Sequence, residues 1–126
     1  VQTRGGYFVG TTTYIVSPPD QVKQIDYANM PFFKRELWDK LGGFRAYDAK
    51  YFDDCDWGLR AIKVGYTNWY NPFSRTEHLT LGQLPEHGEE AVKNRQIGEQ
   101  EIQKRARIGF LKEWGEWLET EHKPLY

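Results

Sequence analysis

Sulfur is nearly missing from this chain: among its 126 residues there is one cysteine, Cys55. A lone cysteine forms neither an intrachain disulfide nor a multi-cysteine zinc site, so a reducing cytoplasm is the expected setting. Serine is almost as scarce, at Ser17 and Ser74 only, and neither stands in a GxSxG elbow, which removes the usual basis for a serine hydrolase. No apolar run is long enough to cross a bilayer, and the opening Val1-Gln2-Thr3-Arg4 has no signal-peptide core, so no transmembrane segment is expected. Excess charge of either sign is also absent. Lysine plus arginine total 17 against 18 acidic residues, a formal net charge of −1, which gives no global electrostatic reason to expect nucleic acid. Repeats and low-complexity tracts are not found. Gly5-Gly6 and Gly10 make no GxGxxG or Walker pattern, and no HxxxH or HExxH pair exists for a self-contained catalytic zinc site.

What is present is aromatic. Phe, Trp and Tyr make up 16% of a chain that is 39% hydrophobic and 28% charged, a globular composition of single-domain size, so residues 1–126 are read as one domain. Val1 is not an initiator methionine, and the first residues run straight into a β-like stretch, so the chain is expected to be a piece of a longer protein. Tyr7 to Val16 is rich in β-branched and aromatic types and closes on Ser17-Pro18-Pro19-Asp20, which predicts a strand and a turn, with Gly10 an interruption. A second strand is expected over Val22 to Tyr27, with Pro31 forcing an edge, bulge or break before Phe33. Phe33, Leu37 and Leu41 then recur every four residues ahead of Gly42-Gly43, the pattern of a short helix and its stop. A second helix is expected to begin at Asp54, with Asp53 or Asp54 as N-cap, Cys55, Leu59 and Ile62 on one face, and Gly65 as a left-handed cap. Thr67 to Tyr70 reads as a strand ending at Asn71-Pro72, followed by a loop through His78 to about His87. From Glu89 to about Glu121 the chain is helical in composition, with an apolar stripe of Phe110, Leu111, Trp114, Trp117 and Leu118 that Gly98 and Gly109 are expected to divide. This order predicts an α/β domain whose sheet is incomplete and has an open edge.

The densest acidic cluster, Asp53-Asp54-Cys55-Asp56, sits where a loop enters a helix, and its plainest reading is dipole compensation and solvation. An EF-hand beginning at Asp53 fails on spacing, because Cys55, Trp57 and Val64 occupy ligand positions. Asp56 is placed to pair with Arg60 at i,i+4 in a structural role. Of the three histidines, His87 and His122 are read as solvated, whereas His78 follows a strand and a proline turn that can return the chain towards Asp54.

One ordered set of residues has a counterpart. Phe33-Lys34-Arg35-Glu36-Leu37-Trp38-Asp39-Lys40-Leu41-Gly42-Gly43-Phe44 is similar to the R-R-E…G-G-F segment of family-2 inverting glycosyltransferases. Asp53-Asp54-Cys55-Asp56-Trp57-Gly58-Leu59-Arg60-Ala61 resembles their E/D-D-x-D…L-R-A signature, and Gly65-Tyr66, Pro72 and His78 follow in the family's order. The resemblance covers Ile25 to His78 and extends loosely into the C-terminal helical part. The Asp53-Asp54 pair with Trp57 and Gly58 looks particularly like bacterial galactofuranosyltransferases.

The resemblance implies the acceptor-side, C-terminal half of a GT-A-type fold: an incomplete mixed sheet, flanking helices and a C-terminal helical segment. It implies Asp54 as the general base that deprotonates the acceptor hydroxyl. Asp53, Trp57 and Asn29 are implied to bind the acceptor, and His78 to help hold a divalent cation, Mn or Mg, with carboxylates of a donor-binding half. That half and its Asp-x-Asp motif are missing here, and neither Asp20 nor Asp26 replaces it. The isolated chain is therefore expected to be inactive, with no bound cofactor and no measurable affinity for a nucleotide sugar. In the complete enzyme the partners would be a saccharide acceptor and a nucleotide-sugar donor, in a cytoplasmic or membrane-peripheral setting. The competing class is a catalytically silent saccharide- or protein-binding module, or a homo-oligomerisation domain built on the Phe110 to Leu118 stripe.

Overall fold

A computed structural model describes residues 5–18, 20–48, 51–76 and 88–126. The chain is a mixed α/β structure. In sequence order its elements are strands β1 (Gly5–Val9), β2 (Thr12–Ile15), β3 (Lys23–Ile25) and β4 (Tyr27–Ala28), helices α1 (Arg35–Leu41) and α2 (Asp53–Lys63), strand β5 (Asn68–Tyr70) and helix α3 (Glu89–Thr120). Among the described residues the strands form two small sheets, β2-β1-β4 and β3-β5, and every pairing is antiparallel where a mixed sheet was expected.

The stretch from Tyr7 to Val16 is not one strand but a tight hairpin, with Val9 opposite Thr12. Gly10 makes the reversal, because its φ of 56° lies in the left-handed region that costs glycine little. The second expected strand is likewise split. β3 and β4 belong to different sheets, and Asp26 between them donates its backbone N–H to the Gly6 carbonyl at 2.8 Å while its side chain turns into the core. β4 ends before Pro31, which cannot donate to a ladder.

The helical expectations fare better. α1 stops at Gly42, whose φ is 78° and whose N–H reaches the Trp38 carbonyl; Gly65, at 93°, turns the chain after α2. α3 is a single helix of 32 residues, roughly 48 Å long at 1.5 Å per residue, and neither Gly98 nor Gly109 divides it. Ala106, Phe110, Trp114 and Leu118 recur every four residues along it and are all buried, so this half of the helix is held by tertiary packing. Phe110, Trp114 and Leu118 close the largest core cluster over Phe8, Cys55 and Leu59. Val16, Ile25 and Tyr70 form a second cluster, and Leu37, Trp57 and Ala61 a third. Among the described residues no helix is long and apolar enough to cross a membrane.

One glycine sets how α2 meets β4. A Cβ built at Gly58 falls 2.1 Å from the Asp26 carbonyl oxygen and 2.9 Å from the Tyr27 Cα, and backbone cannot yield as a flexible side chain would. Asn68 sits beside this contact, its Nδ2 donating to the carbonyls of Asp26 at 3.0 Å and Gly58 at 3.1 Å. Gly58→Ala is therefore expected to cost stability at or above the upper end of the ~1–3 kcal/mol typical of overpacking, read as a lowered urea midpoint.

Candidate functional site

The acidic run enters α2 through an unusual backbone. Tyr51 and Phe52 both have positive φ, 74° and 60°, and Phe52 stands at the N-cap position with no side-chain cap bond. Asp53 and Asp54 are thus not caps, contrary to expectation, but residues of the first turn. Aromatic packing holds the two left-handed residues: the Phe52 ring stacks on Phe110 with centroids 4.9 Å apart, and the Tyr51 hydroxyl bonds to Glu99. Backbone placed in such sparsely populated regions is a recurrent mark of functional sites.

The three aspartates have three different fates. Asp56 is fully buried and saturated. Its Oδ1 accepts from Arg45 Nη2 at 2.7 Å, Tyr47 Oη at 2.8 Å and Trp114 Nε1 at 2.9 Å, and its Oδ2 from Arg60 Nε at 2.6 Å. Burial alone would push its carboxyl up, but bonds from Arg45, Trp114 and Tyr47 and the charge of Arg60 hold it below the usual carboxylate range. The pair with Arg60 at i,i+4 is as expected; the wider network was not foreseen. Arg60 also donates to the carbonyls of Leu41 at 2.8 Å and Gly43 at 2.7 Å, so Asp56 anchors the Gly42-Gly43 turn to α2. Asp53, in contrast, is exposed.

Asp54 lies between these extremes. It is partly buried, accepts the Cys55 backbone N–H at 2.8 Å, and faces a cleft of about 530 Å³. Burial first, and then the charge of Asp53, raises its pKa, partly offset by the bond from Cys55. The cleft is walled by Thr11 and Thr13 of the hairpin, Tyr27 and Asn29 of the β4 region, Tyr51 and Phe52, and one face of α3. Burial and the neighbouring acid groups push the Tyr27 phenol and the Cys55 thiol upward, so both are neutral and Tyr27 can donate a hydrogen bond.

A second cleft, about 570 Å³, is bordered by Trp57, Phe33, Trp69 and Asn71, and the two clefts share Tyr27 and Asn29 in their walls. Trp57 is only 3% exposed, enclosed by Phe33 at 4.6 Å and Phe44 at 4.8 Å between ring centroids. It is thus mainly a core residue with one edge on the second cleft, not an open platform beside Asp54. Asn29 is exposed and, like Tyr27, borders both the cleft that Asp54 faces and the one that Trp57 borders. His78 and His87 lie outside the described residues. Among the described residues no three His, Cys, Asp or Glu side chains gather closely enough to hold a metal ion.

His122 is a correction. Its side chain is 4% exposed rather than solvated, with Nε2 3.1 Å from Asp26 Oδ1, while Asp26 Oδ2 accepts the Phe8 N–H at 2.7 Å. The ring packs against Trp117, and Nδ1 is buried with no hydrogen-bond partner among the described residues. The chain after α3 is thereby fastened to the first strand. Asp26→Ala strands both the Phe8 N–H and the imidazole and is expected to cost about 2–4 kcal/mol. Asp26→Asn, which can still accept from Phe8, is expected to lose clearly less, and urea unfolding distinguishes the two.

Compared with protein-family models, curated proteins and solved structures, the chain matches none.

Proposed function

We propose that this chain is the acceptor-side half of a GT-A-type inverting glycosyltransferase of family 2, in which Asp54 takes the proton from the acceptor hydroxyl. The observation that carries the reading is the division of labour in the acidic run. Asp56 is neutralised in a buried network, Asp53 is exposed, and Asp54 faces an open cleft with its pKa raised towards working pH. A base is most effective when its pKa lies near the operating pH, and desolvation is one way of moving a carboxylate there.

An inverting transfer sets the acceptor oxygen against the anomeric carbon, opposite the departing nucleotide diphosphate, while the base removes the hydroxyl proton as the new bond forms. In this reading the acceptor hydroxyl donates to the Asp54 carboxylate. Thr11 and Thr13 supply hydroxyls, Tyr27 a neutral phenol and Asn29 an amide, polar groups of the kind that orient a saccharide on an apolar floor of Phe8 and Phe110. Asp53 supports the site through its charge on Asp54. The resemblance calls for a divalent cation held by His78 and by carboxylates of a donor-binding half. The described residues form no such set by themselves, and the chemistry assigned to this chain is proton removal and acceptor positioning. The galactofuranosyl preference belongs to the same proposal and rests on the Asp53-Asp54, Trp57 and Gly58 pattern.

The test uses the enzyme with its donor-binding half in place. Asp54→Asn is expected to abolish nearly all turnover at little cost in acceptor KM, whereas Asp53→Asn retains most of it. Equal losses from both, or a surviving Asp54→Asn enzyme, would reject Asp54 as the base.

A further inference from the structure

The cleft that holds Asp54 is not electrically balanced. Among the described residues of its wall Asp54 is the one carboxylate, and it faces two cations, Lys104 and Arg107. These belong to a continuous polar face of α3: Gln100, Gln103, Lys104 and Arg107 fall at i, i+3, i+4 and i+7, the spacing that lines residues up along one side of a helix.

The cations of this face are held more loosely than Arg45, Arg60, Arg95 and Arg105, and resemble Arg35, with one exposed pair at 3.4 Å, and Arg75, with one carbonyl contact at 3.5 Å; unlike those two, they line the Asp54 cleft. Arg105 meets Asp48 at 2.6 Å, Arg95 meets Glu99 at 2.9 Å, and Arg45 and Arg60 both close on Asp56. Arg107, by contrast, makes one long contact to the Thr11 carbonyl at 3.4 Å and meets no carboxylate among the described residues. Lys104 has Glu101 at 3.4 Å, an exposed pair of the kind worth little. Neither pairs with Asp54 among the described residues. Two weakly engaged cations about one helical turn apart, on the wall of the cleft that holds the candidate base, form a receptor for an oxyanion. The guanidinium fork suits a planar carboxylate and the ammonium a point contact.

We propose that the acceptor is an oxyanion-bearing saccharide, and that Arg107 and Lys104 select it by binding the carboxylate or phosphate ester of the sugar that enters the Asp54 cleft. This deepens the acceptor-site reading and rests on it: Asp54 serves the reacting hydroxyl, and α3 reads the charge on the same sugar or its neighbour.

Calorimetry or NMR titration of the chain with a galacturonic acid trisaccharide, the matching neutral galactose trisaccharide, a sugar phosphate and inorganic phosphate separates the outcomes. The uronate is expected to bind about tenfold tighter than the neutral sugar, the effect of one charge-assisted hydrogen bond. Raising salt to about 200 mM should narrow that margin. Arg107→Gln and Lys104→Gln should each reduce it without weakening the neutral sugar, and Arg107→Lys should restore part of it. Lys104→Gln touches no hairpin contact and guards against a merely structural effect of Arg107. A sugar phosphate that outbinds the uronate also supports the proposal and assigns the oxyanion as phosphate. Equal affinity for neutral and anionic sugars overturns it while leaving the acceptor reading intact. Phosphate alone binding as well as the charged sugars overturns it as an ion site without saccharide recognition. Failure of every saccharide to bind a folded chain overturns the acceptor reading and this proposal together.

Discussion

Asp56→Ala is expected to destabilise the chain by about 3–5 kcal/mol, the usual result of removing one partner from a buried charge network. The carboxylate takes donors from four side chains, Arg45, Tyr47, Trp114 and Arg60, and its loss strands the buried Trp114 indole N–H and the Arg60 guanidinium in one step. The Gly42-Gly43 turn loses its anchor as well, because Arg60 carries the bonds to Leu41 and Gly43. Differential scanning calorimetry should show Tm lower by roughly 10 °C or more. The pH dependence has a definite sign. The folded carboxyl lies below its unfolded value, so its stabilisation is complete above the ordinary carboxylate pKa of about 3.9 and is lost as pH falls through the lower folded value. Wild type and Asp56→Ala should therefore differ most at neutral pH and converge in acid. A variant with unchanged Tm at pH 7 would show that the network contributes nothing to the fold.

Asp54→Asn is expected to separate function from stability. In the complete enzyme it should lower the transfer rate by about 10²–10⁴, the range of general-base help. In the chain itself it should raise Tm. The folded Asp54 carboxyl is shifted upward by burial and by Asp53, so its ionisation works against the fold at any pH above its unfolded pKa, and an amide removes that charge. The gain should be absent in acid and grow as pH rises to neutrality, opposite to the behaviour of Asp56→Ala. Residues held against their own stability are those retained for chemistry. A fall in Tm at pH 7 would place Asp54 with Asp56 among the structural acids.

The parts of this architecture legible in the sequence are those fixed by local chemistry. The Gly42-Gly43 stop, the turn at Gly65 and the apolar stripe from Phe110 to Leu118 follow from backbone permissiveness and helical period, and the structure has the turns and buries Phe110, Trp114 and Leu118 of the stripe. The hairpin was missed because its reversal is a Gly10-Thr11 turn rather than an Asn-Gly pair, and because β2 is exposed along its whole length and so has no inward alternation to reveal its edge. The N-cap was misread because the aromatic contacts of Tyr51 and Phe52 set the entry into α2, whereas propensity favours an aspartate there. Asp26 and His122 stand 96 residues apart, and no spacing rule joins them. The cleft wall on α3 had a signal, the polar positions from Gln100 to Arg107 at helical spacing, which attention to the apolar stripe on the same helix obscured. The acidic run itself showed where to look, although only packing distinguishes Asp54 from Asp56.

The central claim is that Asp54 is the group whose ionisation turns the acceptor into a nucleophile, and the pH dependence of turnover tests it most directly. Single-turnover transfer by the complete enzyme, followed across pH with saturating donor and acceptor, should fall on the acid side with an apparent pKa above the usual carboxylate range, as the raised folded value requires. Asp54→Asn should flatten that limb to a low, pH-independent rate while Asp53→Asn moves it to lower pH, since the neighbouring negative charge of Asp53 helps to push the Asp54 carboxyl upward. An acid limb that survives unchanged in Asp54→Asn would contradict the account.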